Sequence, residues 1–371
     1  MQAANRLQKA LRTGSGLTFG AWQMLPGSNQ ARTIARCGFD WVLVDTEHGN
    51  IDEDSAMHEA VAAIAACGVS PIVRIAANEG WMVKRALDSG AHGIIAPLLY
   101  TADDAKKLVQ SAKFPPAGTR GFGSPFPMEK FGGQSGTEYL QQANDSLVII
   151  VQIETKEALE NVDAIAKVPG IDVLFVGPFD LGNNIGHSIV DNTMHDELKA
   201  AIAKIQRAAK ENEKSSGIYS TSGDQAREFA DQGFNMVSVM TDVVALPAYM
   251  TSALIAARGS YVHSALNMGK GAIITELALW QRKVLVLTAD GRTLTGILLS
   301  CDQLTNLVLQ NTIERVIRPH DDPEDSEEVP HGLYLIRGEN VAICGLLDEQ
   351  MDGDIDWAKV KGSIIGGVKH A

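Results

Sequence analysis

Two short apolar runs, residues 147–153 (LVIIVQI) and 173–176 (VLFV), most constrain what this chain can become. Each is too short for a buried helix and lacks polar alternation, so each reads as a strand covered on both faces. Residues 157–168 between them carry a helical pattern, which makes a βαβ unit with a right-handed crossover. The strands of such a unit are parallel, and their C-terminal ends share one edge. Glu154 follows the first run, and Asp180 follows the second after Gly177, Pro178 and Phe179. Two carboxylate donors meeting at one edge suit a hard divalent cation such as Mg²⁺ or Mn²⁺, with water and a chelating substrate completing its shell. Taken alone, an acidic residue at a helix start also caps that helix, contributing about 1 kcal/mol. The rest of the chain decides between these readings.

Eight apolar runs occupy residues 17–22, 41–45, 71–75, 93–98, 147–153, 173–176, 216–219 and 236–239. Amphipathic stretches at 54–67, 81–89, 102–113, 197–212 and 223–232 lie between or after them. Eight βα units imply an α/β fold, the (β/α)₈ TIM barrel, with its site at the strand C-termini. A doubly wound sheet competes with this, but no glycine-rich phosphate loop follows the first run. The strand ends carry Trp22, the Asp45-Thr46-Glu47-His48-Gly49 turn, Arg74, Glu154 and Asp180.

The chain's 371 residues leave room for a smaller second domain. Hydrophobic content of 45% and charged content of 21% describe an ordinary globular protein. No run is long and apolar enough to cross a membrane, and the first residues lack a signal-peptide core. Cys37, Cys67, Cys301 and Cys344 form no paired spacing and read as reduced, buried thiols of an intracellular protein. A net charge of −13 argues against broad nucleic-acid binding but leaves a local site open.

The motifs GFDWVLVDTEHG, PIVRI, PPAGTRGFG, VQIET and VGPFDLG together closely resemble those of the HpcH/HpaI aldolases, over residues 1–258. That resemblance implies a metal-dependent class II pyruvate aldolase. Glu154 and Asp180 would hold Mg²⁺, Mn²⁺ or Co²⁺, which would chelate pyruvate or another 2-keto acid and stabilise its enolate. His48 is implied as the general base, acting through a bound water. Asp88 would raise its basicity, and Arg74 would stabilise the oxyanion. Gln152 would bind the substrate oxygen, and Gly177 and Phe179 would offer backbone N–H groups that Pro178 lacks. Trp22 would wall the pocket. Glu47 and Arg120 are expected to support structure. The bulk of Phe179 suggests a narrower pocket, which leaves the aldehyde partner open. Barrels of this family form homo-oligomers.

Residues 259–271 read as a linker, and the pattern changes from residue 272. A helix at 273–281 precedes five β-rich runs. Asp290-Gly291 is a hairpin signal, Gly296 marks a sharp bend, and residues 320–329 form an acidic loop expected to be solvated. GRTLTGILLSCDQLTNLVL and LYLIRGENVAICG resemble the paired motifs of the like-Sm proteins, nearest to subunit eight of the nuclear ring. That resemblance implies an Sm-fold RNA-binding domain over 272–371. It would contact uridine-rich single-stranded RNA, the 3′ end of U6 small nuclear RNA, through Asp302, Asn306, Arg337 and Gly338. Partner subunits would complete a heteroheptameric ring serving pre-mRNA splicing in the nucleus, while the barrel suits the cytoplasm equally. Two other readings fit the same sequence. One is a splicing subunit with a catalytically silent barrel, the other two proteins merged in one gene model.

Overall fold

The strands of the larger unit form where Val, Ile and Leu succeed one another without polar interruption. β1 (Thr18–Gln23), β2 (Trp41–Asp45), β3 (Ser70–Arg74), β4 (Gly93–Ala96), β5 (Val148–Ile153), β6 (Val173–Val176), β7 (Ser215–Ile218) and β8 (Met236–Thr241) pair in sequence order. β8 returns in parallel to β1 and closes an eight-stranded barrel. This is a computed structural model, and it describes residues 1–13, 16–190, 193–258, 282–301 and 306–362. The chain divides into two units, Met1–Pro247 and Ala248–Ala371.

Every residue of β2 through β6 is buried, as a sheet covered on both faces requires. Alternate side chains divide between two cores. Trp41, Leu43, Ile72, Ile95, Ile150 and Phe175 fill the barrel interior, while Val42, Val44, Val73, Ile149, Val151 and Leu174 pack outward against the helices. The interior admits the Trp41 indole because Gly20 beside it has no Cβ to overlap it. Helix Arg6–Thr13 sends Leu7 into the interior cluster, and its Leu7 N–H donates to Ser70 Oγ at the start of β3 (3.1 Å). The strand N-terminal end is thereby closed, and the C-terminal end is left for a site.

Several elements differ from the sequence expectation. The helix after β5 is two short pieces, Lys156–Glu160 and Val162–Ala166, divided at Asn161. Helix Gly136–Ser146, which was not expected, starts at a capping box formed by Ser135 and Glu138. The last barrel helix, Asp242–Arg258, carries Pro247 within it. Cys37 is exposed, and Cys67 and Cys344 are half-buried, so only Cys301 matches the expected buried thiol. Among the described residues no helix is long and apolar enough to cross a membrane.

In the smaller unit, β9 (Lys283–Thr288), β10 (Thr293–Cys301), β11 (Leu307–Val316), β12 (Glu327–Ile336) and β13 (Val341–Leu346) form an antiparallel sheet in the order β12-β11-β10-β9-β13. Gly291 turns the β9–β10 hairpin at φ +92°. The β10–β11 register shifts at Gly296. There a Cβ would crowd Gln310 O (3.1 Å) and Leu309 Cβ (3.2 Å). β12 tolerates Pro330 and Gly332 because it is an edge strand.

The acidic loop is not simply solvated. Arg318 pairs with Asp322, Glu324 and Glu327, and Ser326 is buried, its N–H bonded to Ala358 O. Arg315 binds Glu328 and Asp352 and lies 3.8 Å over the Trp357 ring. The chain after β13 is thus tied back onto the sheet. The expected linker 259–271 and helix 273–281 lie outside the described residues.

Candidate active site and nucleic-acid interface

At the barrel's open end, the last residue of β2 organises its neighbours. Asp45 is fully buried and accepts Arg74 Nε at 2.9 Å and Arg74 Nη2 at 2.6 Å. Asp45 Oδ1 also accepts the N–H groups of Glu47 (3.1 Å) and His48 (3.2 Å), so the same carboxylate shapes the turn that carries the histidine. Arg74 Nη1 reaches Glu47 Oε2 at 3.0 Å, and its Cζ lies 4.5 Å over the Trp22 ring. Two carboxylates therefore hold Arg74: Asp45 takes two of its five N–H donors and Glu47 pairs with it by charge, which leaves one donor on Nη2 and two on Nη1.

Glu154 sits just past β5, 2% exposed. Leu98 N–H donates to its Oε1 at 2.8 Å, and Gln152 Nε2 donates to its Oε2. Leu98 makes that bond from a left-handed backbone, φ 47°, a conformation costing a leucine about 1–2 kcal/mol. Asp180 lies in the first turn of helix Pro178–Asn184 after β6 and is exposed. Gly177 starts that helix, and a Cβ there would run into Glu154 Oε2 and come within 2.9 Å of Gln152 Nε2.

Burial pushes Glu154 up to about 7, Leu98 N–H opposes this, and the charges of Asp180 and Glu47 add to it. Burial also pushes Glu47 up to about 7, against the attraction of Arg74. Asp45, Glu47, Glu154 and Asp180 thus gather near one guanidinium, which pairs with Asp45 and Glu47 alone. Hard oxygen donors that repel one another and resist ionisation on their own fit a divalent cation, which would relieve both. The only cluster of three candidate metal-binding groups among the described residues, His187, His195 and Glu197, contains neither Glu154 nor Asp180.

A cleft of about 280 Å³ opens at this end. It is lined by Trp22, His48, Arg74, Gln152, Gly177, Phe179 and Asp180, as the sequence led us to expect, together with Met24, Tyr219, Thr221 and Thr241. The last four belong to no recognisable motif; only their position at the ends of β1, β7 and β8 could have marked them. Glu154 and Asp88 do not line the cleft: Glu154 is buried behind Gln152 and Gly177, and Asp88 is farther off. Asp88 ends helix Gly80–Asp88, which runs back down the barrel wall, so its carboxylate lies toward the strand N-terminal end. There it pairs with Arg120 at 2.8 Å, while the nearest carboxylate to the His48 ring is Glu47, at 3.8 Å. Arg120 is buried among Phe114, Tyr139 and Asp88, as a loop-ordering residue would be.

In the smaller unit, Asn306 Oδ1 accepts Gly338 N–H at 2.9 Å and so ties the start of β11 to the turn after β12. Arg337 beside it is exposed, with Glu339 at 3.9 Å. A groove of about 410 Å³ adjoins Arg337 and is lined by Arg292, Tyr334 and Asn340, which sequence reasoning did not single out. Asp302 lies outside the described residues.

The HpcH/HpaI aldolase/citrate lyase pattern matches residues 19–247, and the LSM domain pattern matches residues 278–346. The chain is similar to the 2-dehydro-3,6-dideoxy-6-sulfogluconate aldolase of Pseudomonas putida, 37% identical over 240 residues, which is 65% of this chain and 92% of that protein. It is 34% identical over 266 residues to the 4-hydroxy-2-oxo-heptane-1,7-dioate aldolase of Shigella flexneri, covering 72% of this chain and 97% of that one. The solved structure of an HpcH/HpaI aldolase/citrate lyase family protein from Burkholderia cenocepacia superposes with a TM-score of 0.63 at 35% identity, covering 69% of this chain and all of that one.

Proposed function

The chain belongs to the HpcH/HpaI aldolase/citrate lyase family, its lyase barrel followed by an LSM domain, and from that premise we propose that the barrel makes and cleaves 2-keto-acid aldols through the enolate of pyruvate or a close relative. The observation that carries this is the meeting of Asp180, His48 and Arg74 around one cleft at the strand C-termini, with the Glu154 carboxylate buried behind Gln152 and Gly177 and within electrostatic reach of Asp180 and Arg74. Glu154 and Asp180 would hold Mg²⁺, Mn²⁺ or Co²⁺, which supplies a Lewis acid for the carboxylate and keto oxygens of the substrate. Gln152 fixes the Glu154 carboxylate and keeps its own Oε1 without a protein partner. His48, on the turn shaped by Asp45, takes a proton from the keto acid's methyl carbon and returns it in the reverse direction. Arg74 keeps three N–H donors, from which the oxygen on which charge develops can be served. Gly177 and Phe179 offer backbone N–H groups to the substrate carboxylate.

Exchange of pyruvate methyl protons for deuterium, followed by NMR, tests this reading. EDTA is expected to abolish the exchange, and added Mn²⁺ or Mg²⁺ to restore it; full exchange in EDTA would remove the metal from the account. The homo-oligomer proposed for the barrel finds support in the exposed Trp81, Tyr100, Phe122 and Phe126.

For the LSM domain, we propose binding of uridine-rich single-stranded RNA at Asn306, Arg337 and Gly338, with the 3′ end of U6 small nuclear RNA as the natural target. β12 and β13, the two sheet edges, are suited to pairing with neighbouring like-Sm subunits in a heteroheptameric ring. That reading carries with it a nuclear role in pre-mRNA splicing.

A further inference from the structure

The cleft lining is of two kinds. Asp45, His48, Arg74 and Asp180 carry its ionisable groups. Beside them Trp22, Met24, Phe179 and Tyr219 make an apolar wall. Trp22 and Phe179 both meet Tyr219 near edge-on, with centroids 5.3 and 6.1 Å away, so the rings form one continuous surface. Phe179 remains 40% exposed and therefore has apolar surface left to cover. Thr221 and Thr241 add hydroxyl groups and no charge. Among the described residues lining the cleft, Arg74 is the only Lys or Arg, and Asp45 and Glu47 already hold it. His48 is the remaining basic group, and the proposed reaction uses it neutral, as a proton acceptor.

We infer that the acceptor joined to the keto acid here is an uncharged aldehyde with an alkyl or aryl body, and that aldehydes carrying a second carboxylate or sulfonate are poor substrates. This rests on the aldolase reading above and adds the acceptor to it. In the addition, the enolate's terminal carbon forms a bond to the aldehyde carbon. The aldehyde π pair moves onto its oxygen, which takes up a proton equivalent to the one lost by the methyl group. No step needs charge on the aldehyde's tail, so the tail is selected by the wall it meets. An anionic tail would lose hydration against the Trp22, Phe179 and Tyr219 rings, with no Lys or Arg among them to pair with it. An alkyl or aryl tail gains from burial and from edge-on ring contact.

The test uses the full-length chain loaded with Mn²⁺, pyruvate as donor, and two near-isosteric acceptors: neutral 4-methylpentanal and anionic succinic semialdehyde. The expected kcat/KM favours 4-methylpentanal by about tenfold or more. Thr221 lines the cleft outside the chemistry, anchored through Gln225. Thr221→Arg is expected to shift the ratio about tenfold toward the semialdehyde. A wild-type ratio at or below one, with methyl exchange intact, overturns the inference and leaves the aldolase reading standing. Absence of methyl exchange in the Mn²⁺-loaded chain overturns both.

Discussion

Gly177→Ala asks whether the Glu154 carboxylate is held where it must be. The backbone there has φ −94°, open to any residue, so the substitution tests packing and introduces no strain of its own. The new Cβ would overlap Glu154 Oε2 and lie 2.9 Å from Gln152 Nε2 and 3.1 Å from Glu154 Cβ. The carboxylate cannot swing away freely, because Leu98 N–H holds Oε1 at 2.8 Å. Overpacking of this kind costs about 1–3 kcal/mol. At roughly 2–4 °C per kcal/mol for a domain of this size, Tm should fall by about 2–12 °C. A displaced ligand should also weaken Mn²⁺ binding by about 10–100-fold, the range seen when a ligand's support is lost. Thermal melting by circular dichroism and Mn²⁺ titration calorimetry measure the two effects. Gly123→Ala, where nothing lies within 4 Å of the added Cβ, is the control and should stay within about 0.5 kcal/mol of the wild type. Wild-type Tm and Mn²⁺ affinity in Gly177→Ala would refute the crowding argument.

Asp45→Ala removes the main partner of a guanidinium that is 6% exposed and should cost about 3–5 kcal/mol in urea unfolding; a loss under 1 kcal/mol would mean that Glu47 alone suffices. Burial holds Glu47 and Glu154 at about 7, above their ordinary 4.5. Between about pH 4.5 and 7 the native chain keeps protons that the unfolded chain has lost, so stability falls as pH rises through that window. In EDTA, the Tm should therefore drop from about pH 5 to 8, with Mn²⁺ recovering more at the upper end; a flat profile would contradict the burial argument. In the LSM domain, Asn306→Ala removes the 2.9 Å bond to Gly338 and should weaken oligouridylate binding about tenfold, whereas Arg337→Ala should also flatten the salt dependence by about 0.7 in log–log slope. Fluorescence anisotropy across a salt series distinguishes the two, and unchanged affinity in both variants would move the RNA site elsewhere.

Which residues come together at the open end follows from chain direction. A strand in a (β/α)₈ barrel has one functional end, so residues just past an apolar run, such as His48, Arg74, Glu154 and Asp180, were legible as neighbours. The place of Asp88 in the chain's own barrel follows from the same topology. A residue at the end of the following helix has been carried back to the other end of the barrel, where Arg120 takes it. The service of Asp45 to both Arg74 and the His48 turn was not legible, because a buried strand-end aspartate looks the same whatever it binds.

Apolar periodicity in the sequence was enough to determine eight parallel strands, the open end and two unlike units, because burial on both faces leaves no other use for such runs. The paired motifs of the second unit likewise announced its five strands. Only tertiary structure decided that Leu98 adopts a left-handed backbone to hold Glu154, that Tyr219 and Phe179 join Trp22 in one wall, and that Arg315 ties Trp357 and Asp352 to the sheet. Each of these joins groups far apart in the chain. Local propensity and periodicity report on neighbours in sequence, whereas hydrogen bonds, burial and charge act between neighbours in space.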